Sequence, residues 1–238
     1  MLTLPVVVGI WLAGPDPSHL PLAAFWLVGY LAYHATTRWL RARRRRRHLP
    51  PVLVYASAAL LLGLLTLAAA PHLARWLPLF LPLLATSLWL TLRGADRSLT
   101  NDTITVVTAC LMAPVAFDAG GGSEWTSLWV AFSVLTAYFL GTVLYVKTMI
   151  RERGRAGYLR ASVAYHLAGV AAAAGLVATG WQSAWLVVLW LVLAVRAWFG
   201  PAMHRRRGRP VRPAVVGVGE IVASVLLTVT LLAGLPIA

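Results

Sequence analysis

RAWFGPAMHRRRGRPVRPAVVGVGEIVAS, residues 196–224, decides how the chain is read. It joins the end of one apolar run to the start of another through a short loop, His204–Arg212, that holds five arginines. Arg196 lies inside the first run and Glu220 inside the second. An ionisable group inside an apolar helix costs several kcal/mol unless it faces protein or water. A cluster of arginine between two such helices marks the cytoplasmic side of a membrane. The stretch therefore predicts a helical hairpin in a bilayer with two internal charges near its basic turn.

The rest of the chain repeats this arrangement. Of 238 residues, 60% are hydrophobic and 12% charged, where a soluble domain carries about a quarter charged. Apolar segments long enough for a bilayer need about 20 residues, fewer where neighbours bury the ends. Nine segments qualify: Leu2–Ala13, Leu20–Leu40, Val52–Ala70, Leu77–Leu92, Asp102–Phe117, Trp125–Ile150, Ala161–Thr179, Ala184–Ala202 and Ala214–Leu235. The expectation is an all-α, polytopic transmembrane bundle of about nine helices, forming a single integral membrane domain over residues 1–238. Pro114 is expected to kink the fifth segment, and Pro78 and Pro82 to bend or delay the fourth.

The loops sort into two alternating sets. Arg41–His48, Arg93–Arg97, Arg151–Arg160 and His204–Arg212 hold nearly all of the 20 arginines. Gly14–His19, Pro71–Trp76, Asp118–Glu124 and Gly180–Ser183 hold one, Arg75. The asymmetry predicts the amino terminus inside and the carboxyl terminus outside. The net charge of +14 is then topology and attraction to anionic lipid headgroups. Nucleic acid is not the partner expected, because no aromatic or groove-reading element accompanies the charge.

Catalytic signatures are absent: no GxSxG, HExxH, phosphate loop or CxxC. The seven acidic residues form no DxxD or DxxxD pair, which counts against a magnesium–diphosphate site. No cofactor and no metal is expected, and the lone Cys110 reads as an apolar filler. Gly120–Gly122 reads as a flexible turn. The candidates for ligand binding or proton linkage are Asp102, Lys147, His166, Arg196 and Glu220, all placed within roughly 10 Å of the arginine-rich face at 1.5 Å per residue. His34, Tyr33 and Asn101 are further candidates, Asn101 also as the helix N-cap. The outer half of the membrane shows no comparable set. Small and polar faces (Gly217, Glu220, Ser224 and Thr228; Ser162, His166, Gly169 and Ala173; Tyr30, Tyr33, His34 and Thr37) are expected to point at other helices. Each candidate has a structural alternative. Glu220 pairs with Arg196 or Lys147 to join helices, Lys147 snorkels, Asp102 caps its helix, and His166 packs.

The segments DRSLTND (Asp96–Asp102), GTVLYVKTMIRERG (Gly141–Gly154), ASVAYH (Ala161–His166) and VGVGEI (Val216–Ile221) resemble the YwiC-like family of bacterial integral membrane proteins. The resemblance implies a multi-pass architecture in a bacterial cytoplasmic membrane and no particular activity. Members of the family open with a short polar segment containing His-Gly-x-Trp before the first helix, so the short first segment here is expected to be truncated. Three functions compete: a cytoplasm-open pocket that binds or transports an anionic or amphiphilic small molecule; a membrane-embedded lipid or prenyl transferase of UbiA-like outline, disfavoured by the missing paired aspartates; and a non-catalytic assembly or scaffold protein.

Overall fold

A computed structural model describes residues 1–207 and 212–235. Among them the regular structure is helical throughout: α1 (Leu4–Ala13), α2 (His19–Arg41), α3 (Leu49–Ala69), α4 (Leu77–Leu92), α5 (Leu99–Cys110), α6 (Met112–Ala119), α7 (Trp125–Met149), α8 (Ala156–Ala178), α9 (Ala184–Arg207) and α10 (Pro213–Gly234), with 3-10 turns at Arg46–His48 and Pro71–Trp76. Taking α5 and α6 as one broken span gives nine helical segments, in the order and register the apolar runs predict. Seven described spans are long and apolar enough to cross a membrane. The protein is a multi-pass membrane protein of all-α class.

The break at Leu111 has a local cause. Pro114 has no N–H to give the Cys110 carbonyl one turn earlier, and its ring would press on that carbonyl. Accordingly α5 stops at Cys110 and α6 restarts at Met112. Proline acts differently in α4. Pro78 occupies the first turn, where no N–H is needed, so α4 begins at Leu77 without delay and carries Pro82 in its interior. The start of α5 also differs from expectation. Ser98, not Asn101, is the N-cap: its hydroxyl accepts from the Asn101 amide at 3.2 Å. Extended backbone at Ser98 aims the oxygen into the first turn.

Helix ends move most at the arginine turns. α8 begins at Ala156, five residues before the apolar run, and α9 continues through Arg207. Arginine is a good helix former, so apolar content alone misplaces such ends. The rest of the expected arginine loop, residues 208–211, lies outside the described residues.

The helices cluster into two compact units, Met1–Leu128 and Trp129–Ala238. In the first, the span Leu99–Ala119 is the most buried, with 67% of its most apolar window withdrawn, against 11% for α3. α1 lies on α6 at close range: a Cβ on Gly9 would stand 2.2 Å from the Ala113 carbonyl oxygen. Small residues on both sides permit that approach. Val6, Leu22, Leu73, Met112, Val115 and Ala116 fill the contact. In the second unit Tyr145, Met149, Ala197 and Val216 form one buried apolar cluster. One face of α10 is exposed and apolar, from Val215 and Val218 through Ile221, Val222, Val225 and Val229. A water-soluble monomer rarely carries so large an apolar patch; a bilayer supplies its solvent.

Candidate functional site

The site is built in the second unit, where α7, α9 and α10 meet. Arg196 Nη1 donates to Glu220 Oε1 at 2.6 Å, across the α9–α10 hairpin. The arginine side chain is 22% exposed and the glutamate 14%, so neither charge is left to the bilayer. The second carboxylate oxygen, Oε2, accepts from the Thr142 hydroxyl at 3.0 Å. Tyr138 meets Ser224 Oγ at 3.1 Å and donates to the Glu220 carbonyl at 3.4 Å. The guanidinium carbon lies 4.2 Å from the centre of the Tyr145 ring, a cation–π distance. Gly200 lets that ring in, since a Cβ there would stand 2.9 Å from the Tyr145 hydroxyl.

Two donors of this guanidinium are left over. Arg196 Nε and Nη2 are buried and have no hydrogen-bond partner among the described residues. Nε and Nη2 are the two nitrogens along one side of the guanidinium, and their N–H groups point the same way. That edge takes a carboxylate or phosphate in two parallel hydrogen bonds. Glu220 instead takes the other side through Nη1 alone.

The remaining candidates are distributed around this pair. His166 is almost wholly buried on α8. Its Nδ1 lies 2.7 Å from the Ser162 carbonyl oxygen and so donates to it. A carbonyl oxygen only accepts, so Nδ1 carries a proton. The ring packs between Trp190 and Gly141. His166 lies ten residues into α8, about 15 Å from its start at 1.5 Å per residue, deeper than the apolar run implies. Arg196 is about as far from the end of α9. Lys147 is buried in the last turn of α7. The small depression in this unit lies at the α7–α8 turn, lined by Thr148, Glu152, Arg153, Arg155 and Pro201 among others. Lys147, His166, Arg196 and Glu220 do not line it. On α10 the buried stripe is Val216, Ala223, Ser224, Leu227 and Leu231, and Gly217 is exposed instead.

Asp102 lies in the first turn of α5, in the first unit. Beside it Tyr33, Ser87, Asn101 and Asp96 form a chain. Ser87 donates to Asn101 Oδ1 at 2.7 Å, which spends its only proton. Tyr33 therefore donates to Ser87, at 2.8 Å. Asn101 Nδ2 donates to the Asp96 carbonyl at 2.8 Å, and the Asp96 carboxylate pairs with Arg41. The chain ties α2, α4 and α5 together. His34 stands outside it, exposed and edge-on to Tyr30 at 4.4 Å. The expected inward face of α2 is thus split between Tyr33 and Thr37 inside and Tyr30 and His34 outside.

The arginine-poor end of the first unit holds a polar cluster that contradicts the expectation of none. Asp118 is buried and pairs with Arg75, whose Nε lies 2.9 Å from Oδ2. Trp76 Nε1 donates to the same oxygen at 2.7 Å, and His72 Nε2 lies 3.1 Å from the Asp118 carbonyl oxygen. His19 Nε2 donates to the Ala116 carbonyl at 2.8 Å, its Nδ1 accepting from the Asp16 amide. The glycine turn here is packed, not loose: a Cβ on Gly122 would stand 2.4 Å from the Phe117 ring, and one on Gly120 2.8 Å from Ala13 Cβ. Every oxygen of the Asp118 carboxylate is held, so this cluster is a fastener.

Residues 1–117 match the family model described as YwiC-like protein. The resemblance to the YwiC-like family holds. The chain is 28% identical over 223 residues to "Uncharacterized protein YwiC" of Bacillus subtilis, covering 93% of this chain and 88% of that one. It is 29% identical over 175 residues to an "Uncharacterized protein" of Haemophilus influenzae, covering 70% of each. No solved structure matches. The YwiC-like match covers α1 to most of α6, while the buried Arg196–Glu220 pair lies beyond it.

Tyr138, Thr142 and Tyr145 were not singled out by the sequence reading. Their spacing of four and three residues puts three hydroxyls on one face of an apolar helix. That pattern was the available signal. For the Asp118 cluster it was the single arginine of the arginine-poor loops, Arg75, on the same side as Asp118.

Proposed function

We propose that this YwiC-like membrane protein binds an anionic small molecule, a carboxylate or phosphate with or without an apolar tail, at the Nε–Nη2 edge of Arg196, and carries it across the membrane. One observation carries the reading: a buried guanidinium edge with two donors unspent. Leaving a buried donor unpaired costs roughly 1–3 kcal/mol, more for a charged group. A protein that only needed to join α9 to α10 would spend those donors on the partner it has. The positive-inside pattern supports access from the cytoplasm, with the membrane that of a bacterial cell. A purely structural role for the pair is the competing reading, favoured by its hydrogen bonds to Thr142 and Tyr138.

The test is a thermal-unfolding series in detergent with sodium acetate, nitrate, phosphate and chloride at equal ionic strength, on wild type and Arg196→Lys. Lysine keeps the charge and loses the fork. The expected result is a rise in midpoint with acetate, nitrate and phosphate, beyond that with chloride, in wild type and no such difference in the variant. Equal shifts in both proteins would overturn the reading.

A further inference from the structure

The Arg196–Glu220 pair is neutral as it stands, and a neutral pair has no net charge to offer an anion. A monoanion on the Nε–Nη2 edge would leave one unbalanced negative charge between α7, α9 and α10. Unpaired charge in such a setting is strongly disfavoured, and the ordinary escape is a change of protonation. We infer that anion binding at Arg196 is coupled to the uptake of one proton by Glu220, which makes the site a proton–anion co-binding site. The inference rests on the anion-binding reading above and adds its stoichiometry and its direction with pH.

The surroundings of Glu220 can accept the proton. Oε2 is held only by the Thr142 hydroxyl, at 3.0 Å. A hydroxyl can accept as well as donate. When a proton from water adds to Oε2, the new O–H can donate to Thr142 Oγ1, and the threonine proton can turn to a carbonyl of the preceding turn of α7. No group has to move far, and the charge count closes: one anion and one proton enter, and the guanidinium stays charged. The titratable and charged groups around Glu220 are Arg196 on α9, and Tyr138 and Tyr145 on α7. Lys147 lies further along α7 and His166 on α8. α10 contributes Ser224 beside Tyr138 and no second charge among its described residues. Glu220 is the only carboxylate within the helices α7, α8, α9 and α10 among the described residues, Glu152 lying in the α7–α8 turn, and it already holds the arginine that the anion needs.

The sign follows. Binding takes up a proton, so it is favoured at low pH and weakens as pH rises. With one proton per anion, the concentration for half-saturation rises by about tenfold per pH unit wherever free Glu220 is ionised.

The probe is nitrate, planar like a carboxylate and without a proton of its own across the working pH range. Purified protein in weakly buffered detergent is titrated with sodium nitrate, with sodium chloride, whose single atom cannot take two parallel hydrogen bonds, as the ionic-strength control. Proton uptake is followed by pH-stat and occupancy by thermal midpoint. The expected result is saturable stabilisation with one proton taken up per chain, a half-saturation concentration that rises with pH, and loss of both signals in Arg196→Lys. In Glu220→Gln, nitrate is expected to bind with no proton uptake and no pH dependence. Saturable stabilisation without proton uptake would overturn the coupling and leave the anion-binding reading standing. No stabilisation, or the same stabilisation in Arg196→Lys, would overturn both. If neither variant folds, the pH dependence in wild type decides alone: a flat profile contradicts the coupling.

Discussion

Arg75 holds the buried Asp118 carboxylate through its Nε and Nη2 edge, while Arg196 holds Glu220 through Nη1 only and leaves that same edge unspent. The two arginines make opposite use of one side chain. At Asp118 the fork is closed, with Trp76 adding a further donor. A closed fork predicts stability and nothing else. Arg75→Ala should lower the unfolding midpoint by the equivalent of about 1.5–3 kcal/mol, the worth of hydrogen bonds to a charged group. Trp76→Phe should cost less, as one bond of several. Both are read by unfolding in detergent, with anion stabilisation unchanged in each.

The Arg196–Glu220 pair predicts an asymmetric double-mutant cycle. Glu220→Ala strands a buried guanidinium and is expected to cost about 3 kcal/mol or more. Replacing both residues by apolar ones of similar volume, Arg196→Met with Glu220→Leu, should cost less than either single change. Folded yield and thermal midpoint across the four proteins check this. A double change that costs the sum of the two singles would show the charges to be independent.

Gly9 predicts a steric effect with no charge in it. Its missing Cβ is what allows α1 to lie on Ala113 and Ala116. Gly9→Val should push α1 off α6 at a cost of about 1–3 kcal/mol, the range for overpacking. Cysteines at Val6 and Val115, which share one apolar cluster, should cross-link in a Cys110→Ala background, and Gly9→Val should abolish the cross-link.

Topology is tested at the carboxyl terminus. The arginine asymmetry over nine apolar segments predicts a carboxyl terminus on the outside. Alkaline phosphatase fused after Ala238 should be active, and a cytoplasmic reporter at the same point silent. The reverse pattern would refute the orientation.

Much of the fold was legible because each apolar run is bounded by something that cannot enter a bilayer. α4 is the clearest case: its bounds, Leu77 and Leu92, are those of the apolar run, since Trp76 and Arg93 stop it on either side. Bounds failed where arginine continued a helix beyond the apolar run, at the start of α8 and the end of α9. The site was legible in its charges and not in its hydroxyls. Arg196 and Glu220 stand out because an ionised group in an apolar run is expensive. Tyr138, Thr142 and Tyr145 do not, because tyrosine and threonine sit in apolar helices at little cost. Asp118 was missed because it follows the apolar run and reads as loop, whereas it occupies the buried last turn of α6. His34 was expected on the inward face of α2, since its helical spacing matched Tyr30 and Thr37, but the rotation of α2 leaves it exposed.

The central claim is that the free edge of Arg196 receives an anion, and the most direct measurement is crystallographic. Crystals of the protein grown with 4-bromobenzoate carry a carboxylate that fits the fork and a bromine that scatters anomalously. The account predicts an anomalous peak between α7, α9 and α10, with the carboxylate oxygens within hydrogen-bond distance of Arg196 Nε and Nη2. Bromine found only on lipid-facing surfaces or at the arginine loops, with the Arg196 edge unchanged, would contradict it.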